Sequence, residues 1–84
     1  MQTIKYNSKT IKLPFAGADY SDKPLEKVSI ANRFNGDSVM LPRFAVAVYD
    51  VIIGSEILGD YQTVRDGLDW FSKHFTKEYM VLLD

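Results

Sequence analysis

His74 is the only histidine in the chain, and imidazole is the one side chain that titrates near neutral pH without perturbation. It stands four residues after Trp70, near the end of an expected helix, where a protonated ring sits well against the negative end of the helix dipole. As a catalytic base it would need a nucleophile and an orienting group within reach, and no local arrangement of Ser and Asp supplies both. The carboxylates of the second half, Asp50, Glu56, Asp60, Asp66 and Asp69, are the other candidates. Asp66 and Asp69 share a helical face, but Arg65 and Lys73 interleave with them, a pattern that predicts a solvated surface of Arg65–Asp69 and Asp69–Lys73 pairs rather than an oxygen cage for a divalent cation. Asn35-Gly36-Asp37 lacks the second glycine, the lysine and the strand-to-helix setting of a phosphate loop, so it reads as a turn. Gly54 and Gly59 match no nucleotide fingerprint either. With no cysteine in the sequence, a disulfide framework, a thiolate metal site and a cysteine nucleophile are all excluded. No catalytic residue, metal or cofactor is expected.

The elements that would have to position such groups belong to one small domain spanning residues 1–84. Hydrophobic residues make up 46% of it and aromatics 13%, enough for a folded core with a stability of only a few kcal/mol. Residues 1–40 carry six Lys/Arg against four Asp/Glu, a charge of +2, and residues 41–84 carry four against seven, a charge of −3. That is a dipole rather than a strongly basic face. Met1 to Lys12 alternates instead of forming an apolar leader, and no stretch approaches the ~18 unbroken apolar residues of a membrane span. A cytoplasmic protein that does not engage the membrane is expected.

Thr3 to Leu13 alternates at period two about Asn7-Ser8, predicting a hairpin with Ile4 opposite Ile11, Lys5 opposite Thr10 and Thr3 opposite Lys12. Pro14 stops the second strand. Phe15 to Pro24, rich in turn formers such as Gly17, Asp19, Ser21 and Asp22, is a connector. Lys27 to Phe34 places Val28, Ile30 and Phe34 on one side and Ser29, Ala31 and Arg33 on the other. Asn35-Gly36 then turns into Ser38 to Leu41, a second hairpin favoured over a short helix from Pro24. A helix follows from Pro42 to about Leu58, with proline in the first turn where its missing N–H is harmless. Gly59 ends it and Asp60 caps a second helix, Tyr61 to His74. On that helix Tyr61, Val64, Leu68, Phe71 and Phe75 form the expected inward stripe. For Tyr79 to Leu83 both a helix, optionally capped by Thr76, and a strand remain open. The fold class is therefore α+β: a small antiparallel sheet of two N-terminal hairpins packed by two C-terminal antiparallel helices.

The first helix is apolar on nearly every side. Phe44, Val46, Val48, Tyr49, Val51, Ile52 and Ile53 wrap most of its circumference, and Arg43, Ala47, Asp50 and Gly54 leave one narrow wet strip. This is more apolar surface than the expected elements need, and it predicts a homodimer or a protein partner. On the second helix Thr63, Gly67, Trp70 and His74 form another stripe, with Gly67 leaving room for a close approach. Trp70 either anchors a partner from this stripe or tucks under the first hairpin. The candidate interface is Arg43, Ala47, Asp50, Gly67, Trp70 and His74. The alternative partner is nucleic acid. Lys5, Lys9 and Lys12, with Lys23, Lys27 and Arg33 beyond them, would neutralise phosphates, and the interleaved Tyr6, Phe15, Tyr20 and Phe34 would stack bases. Tyr6 and Phe34, however, are expected to face the core.

The run Leu41-Pro42-Arg43-Phe44-Ala45-Val46-Ala47-Val48-Tyr49-Asp50, followed by Gly59-Asp60-Tyr61, Gly67-Leu68-Asp69-Trp70-Phe71 and Leu82-Leu83-Asp84, resembles small uncharacterised proteins encoded by tailed bacteriophages, marine ones in particular. The likeness covers about the last half of the chain. It implies a context, an accessory protein made inside an infected bacterium that binds a host or phage protein, and carries no catalytic motif to transfer.

Overall fold

The computed structural model describes residues 3–15, 18–20, 22–32 and 34–83. Met1, Gly17, Ser21, Arg33 and Asp84, which entered the sequence reading, lie outside them. The first hairpin pairs β1 (Thr3–Tyr6) with β2 (Lys9–Lys12) in the expected register, Ile4 opposite Ile11 and Lys5 opposite Thr10. Its turn residues, Asn7 and Ser8, both have positive φ, 51° and 65°. That is the signature of the two-residue turn whose twist matches the strands it joins.

The second hairpin pairs β3 (Lys27–Ala31) with β4 (Ser38–Pro42), Lys27 opposite Pro42 and Ala31 opposite Ser38. Here the expected two-residue Asn-Gly turn is replaced by the longer connection from Asn32 to Asp37. The cause is Asn32, whose Oδ1 accepts the N–H groups of Phe34 (2.7 Å) and Asn35 (3.2 Å). Its backbone is bound at both ends, donating to the Asp37 carbonyl at 2.6 Å and accepting from Gly36 at 3.0 Å. The strand therefore stops at Ala31, and Phe34, expected in the core, is 84% exposed. Asn32 is itself buried and donates from Nδ2 to the Val81 carbonyl at 2.7 Å, fastening the loop to the C-terminal helix.

The hairpins remain two separate two-stranded sheets rather than one sheet. Each packs on the helices independently: β3 and β4 against α1, and β4 also against α3, while β1–β2 lays Tyr6 on Phe44 (5.4 Å between ring centroids) and on Phe75 (5.8 Å). Helix α1 (Arg43–Leu58) begins one residue later than expected, with Pro42 as the extended residue before it. No side chain caps it. The turn preceding β3 does so instead, its Glu26 and Pro24 carbonyls accepting from Arg43 (2.8 Å) and Phe44 (3.0 Å), and Glu26 Oε1 also accepts from Arg43 Nε at 2.7 Å. Gly59, at φ 77°, closes α1 in the left-handed conformation glycine tolerates, with Asp60 N–H returning to the Ser55 carbonyl at 2.9 Å.

Helix α2 (Tyr61–His74) starts as expected from Asp60, whose carboxylate accepts from the Thr63 N–H at 3.3 Å and hydroxyl at 2.7 Å. Among the described residues its outer face carries a Gln62–Asp66 hydrogen bond at 3.0 Å, and the Arg65–Asp69 and Asp69–Lys73 ion pairs are not formed. The tail takes the helical option as α3 (Thr76–Leu82), after a break at Phe75. Thr76 does not cap it. Its hydroxyl instead donates back to the Ser72 carbonyl at 2.7 Å. Phe44, Phe71, Leu41, Ile52 and Val48 are fully buried at the centre, where edge-on and tilted aromatic contacts link Phe44, Trp70, Phe71 and Phe75 at 5.8–6.3 Å between centroids. The architecture is α+β, and no helix among the described residues is long and apolar enough to cross a membrane.

Candidate functional site

The six residues expected at a partner interface fall on two different sides of the molecule. Arg43, Ala47 and Asp50, spaced along one face of α1, line a surface cleft of about 510 Å³ with Val46, Val28 from β3, and Asp19 and Asp22 from the connector. The Arg43 guanidinium is engaged by Glu26. Burial pushes the Asp50 carboxyl above its ordinary value. Among the described residues its lining carries acidic and aliphatic groups and one guanidinium, and neither a hydroxyl nor the histidine. Among the described residues no group of three or more His, Asp or Glu side chains converges closely enough to hold a metal.

Gly67 and Trp70 are buried and not available as a surface, and His74 beside them is partly covered. Trp70 is 8% exposed and takes the tucked position: its Nε1 donates to the Lys12 carbonyl at 2.7 Å and its ring stands edge-on to Phe44 at 6.3 Å. The space that Gly67 leaves is filled from inside the protein, since a Cβ there would overlap the Ile52 side chain and crowd Phe15. His74 is half-buried, 5.2 Å from the Trp70 ring. Loss of solvent, and after it the charges of Lys73 and Lys9, hold it below the ordinary imidazole range. The protonated, dipole-stabilised ring expected from sequence is therefore disfavoured.

What faces water in place of Trp70 is part of the stripe expected to be inward. Tyr61 is 69% exposed, and Val64 and Leu68 are only half-buried. Helices α1 and α2 run antiparallel, with Ile52 against Gly67 and Tyr49 6.4 Å from Phe71. On that geometry the flank of α1 bearing Ile53 and Ile57 adjoins the flank of α2 bearing Tyr61, Val64 and Leu68. Ile57 is 75% exposed and Leu58, just around the tip of the helical hairpin, 84%. Ile57, Leu58 and Tyr61 thus make an exposed apolar margin about the α1–α2 turn. Gly59-Asp60 is the helix stop and cap that the sequence predicts; what the sequence reading missed is that Ile57 and Leu58, just before that stop, are left at an exposed turn.

The lysines separate in the same way. Lys5 and Lys12 are exposed on the outer face of the first hairpin, whereas Lys9, opposite Tyr6, belongs to the other face and its charge reaches His74. The aromatics expected between them are elsewhere. Tyr6 packs on Phe44, Phe15 lies over Gly67, and Tyr20 is buried, its hydroxyl accepting from the Phe15 N–H (3.1 Å) and donating to the Phe15 carbonyl (2.7 Å). Phe34 is exposed on the other hairpin. No protein-family profile, no curated protein and no solved structure matches this chain.

Proposed function

We propose that this domain is a non-catalytic interaction module that associates with a second copy of itself or with another protein, through the apolar margin of the α1–α2 hairpin. One observation carries the reading. Ile57, Leu58 and Tyr61, three large apolar side chains within five residues, are each at least two-thirds exposed, and contiguous exposed apolar surface on a small domain marks a contact site. An aromatic beside aliphatic anchors is the composition that dominates protein contacts. Small size supports the same reading, because covering this margin adds buried area to a domain of 84 residues whose expected stability is only a few kcal/mol. The resemblance to small phage proteins would make the partner a host or phage protein of an infected bacterium.

Light scattering across the micromolar range, together with capture from bacterial lysate, tests the proposal. Assembly, or selective capture of a protein, is expected. A strict monomer that captures nothing at any concentration would contradict it.

A further inference from the structure

The connection between β3 and β4 is held by its own polar groups, and one of them is chemically labile. The chain has three asparagines, Asn7, Asn32 and Asn35, of which Asn35 alone precedes a glycine. Asn35 is exposed, and nothing comes within 4 Å of where a Gly36 Cβ would stand. The Asn35 Oδ1 accepts the Asp37 N–H at 2.9 Å, while the Gly36 N–H donates to the Asn32 carbonyl at 3.0 Å.

We propose that Asn35 is a site of spontaneous deamidation whose rate is gated by the Gly36–Asn32 hydrogen bond. The Gly36 backbone nitrogen, after losing its proton to solvent base, forms a bond to the Asn35 Cγ. The Cγ–Nδ2 bond breaks, and the nitrogen takes up a proton and departs as ammonia, leaving a five-membered succinimide. Water then opens either carbonyl of that ring, giving aspartate or the isoaspartyl linkage, so the net reaction consumes one water, releases one ammonia and needs no oxidant or reductant.

Two features of the loop act in opposite directions on this step. The Asp37 N–H is aimed at the oxygen on which charge builds as the nitrogen adds, and so favours the addition. The nucleophile itself is occupied, because the Gly36 N–H must first leave the Asn32 carbonyl. Asn32 is in turn anchored to α3 through Val81, so the opening that frees Gly36 is a local opening of the clasp between the loop and the C-terminal helix. The other two asparagines lack this combination: Asn7 precedes Ser8, whose Cβ hinders ring closure, and the Asn32 amide is committed to a buried bond. An isoaspartyl residue at position 35 lengthens the loop backbone by one methylene group and displaces the N–H groups that Asn32 holds, which loosens α3.

Peptide mapping by mass spectrometry on the full chain, aged at mildly alkaline pH, tests the proposal. The expected result is the amide-to-acid mass gain in the peptide containing Asn35, with both aspartyl and isoaspartyl products and a rate that rises with pH. The gain is several-fold slower in the folded chain than in the same chain kept in denaturant, and absent in Asn35→Gln. Asn32→Ala ages faster than the native chain; should that variant fail to fold, the folded-against-denatured comparison still decides. Conversion at Asn7 ahead of Asn35, no conversion at Asn35, or equal rates in folded and denatured chains would each overturn it.

Discussion

The first turns and the last turn of α1 are both apolar and have opposite surroundings. Phe44, Ala45 and Val48 near its start are fully buried, with Tyr6 of the first hairpin and Trp70 of α2 against Phe44, whereas Ile57 and Leu58 at the far end are 75% and 84% exposed. Apolar content therefore says that a segment is to be covered, but not by what. In the first turns the cover is intramolecular and its value appears as stability. At the last turn, where Ile57 and Leu58 stand, the fold supplies little.

Substitutions sharpen that contrast. Phe44→Ala removes a fully buried ring that contacts Tyr6, Trp70 and Phe75, and a loss of about 3–5 kcal/mol is expected. In a domain of this size that abolishes cooperative unfolding in a urea titration. Trp70→Phe keeps a ring but leaves the Lys12 carbonyl without its donor, and the midpoint of the same titration falls by an amount equivalent to about 1–3 kcal/mol. Asp60→Ala removes both bonds that begin α2, for about 1 kcal/mol. Ile57→Ser, at the uncovered end, changes stability by no more than about 0.5 kcal/mol. A large loss there would mean the margin is part of the interior.

A pH titration separates the buried side in a different way. The folded protein holds His74 below the ordinary imidazole value, so the unfolded chain binds the proton more readily. Stability is thus fully present above pH ~6.5 and falls as pH drops from there toward the lower folded value. His74 is the only histidine, so His74→Gln flattens the unfolding free energy across this window. An unchanged slope in the variant would assign the dependence to other groups.

The first hairpin and the α1–α2 break were legible in the sequence because each rests on local rules. Alternation and a two-residue turn set the Ile4–Ile11 register, and Gly59-Asp60 supplies both the left-handed stop and the cap. The α+β class followed from these. The orientation of α2 was not legible. Two adjacent stripes, Tyr61/Val64/Leu68 and Gly67/Trp70/His74, are both compatible with a helical period, and only the partner helix decides between them. Gly67 does so by admitting Ile52, which turns Trp70 inward and Tyr61 outward. Contacts distant in sequence were equally hidden: Asn32 reaching Val81, and the Pro24 and Glu26 carbonyls capping α1. As a result the expected interface divided, with Arg43, Ala47 and Asp50 remaining at the surface and Gly67 and Trp70 passing to the interior.

The most direct test of the contact role of the α1–α2 margin is a paired comparison of the native chain with Ile57→Glu/Tyr61→Ser, each checked for unaltered urea stability, in light scattering and protein capture. The expected result is association or capture by the native chain and its loss in the variant, with the midpoint of unfolding unchanged. Association retained by a stably folded variant would contradict it.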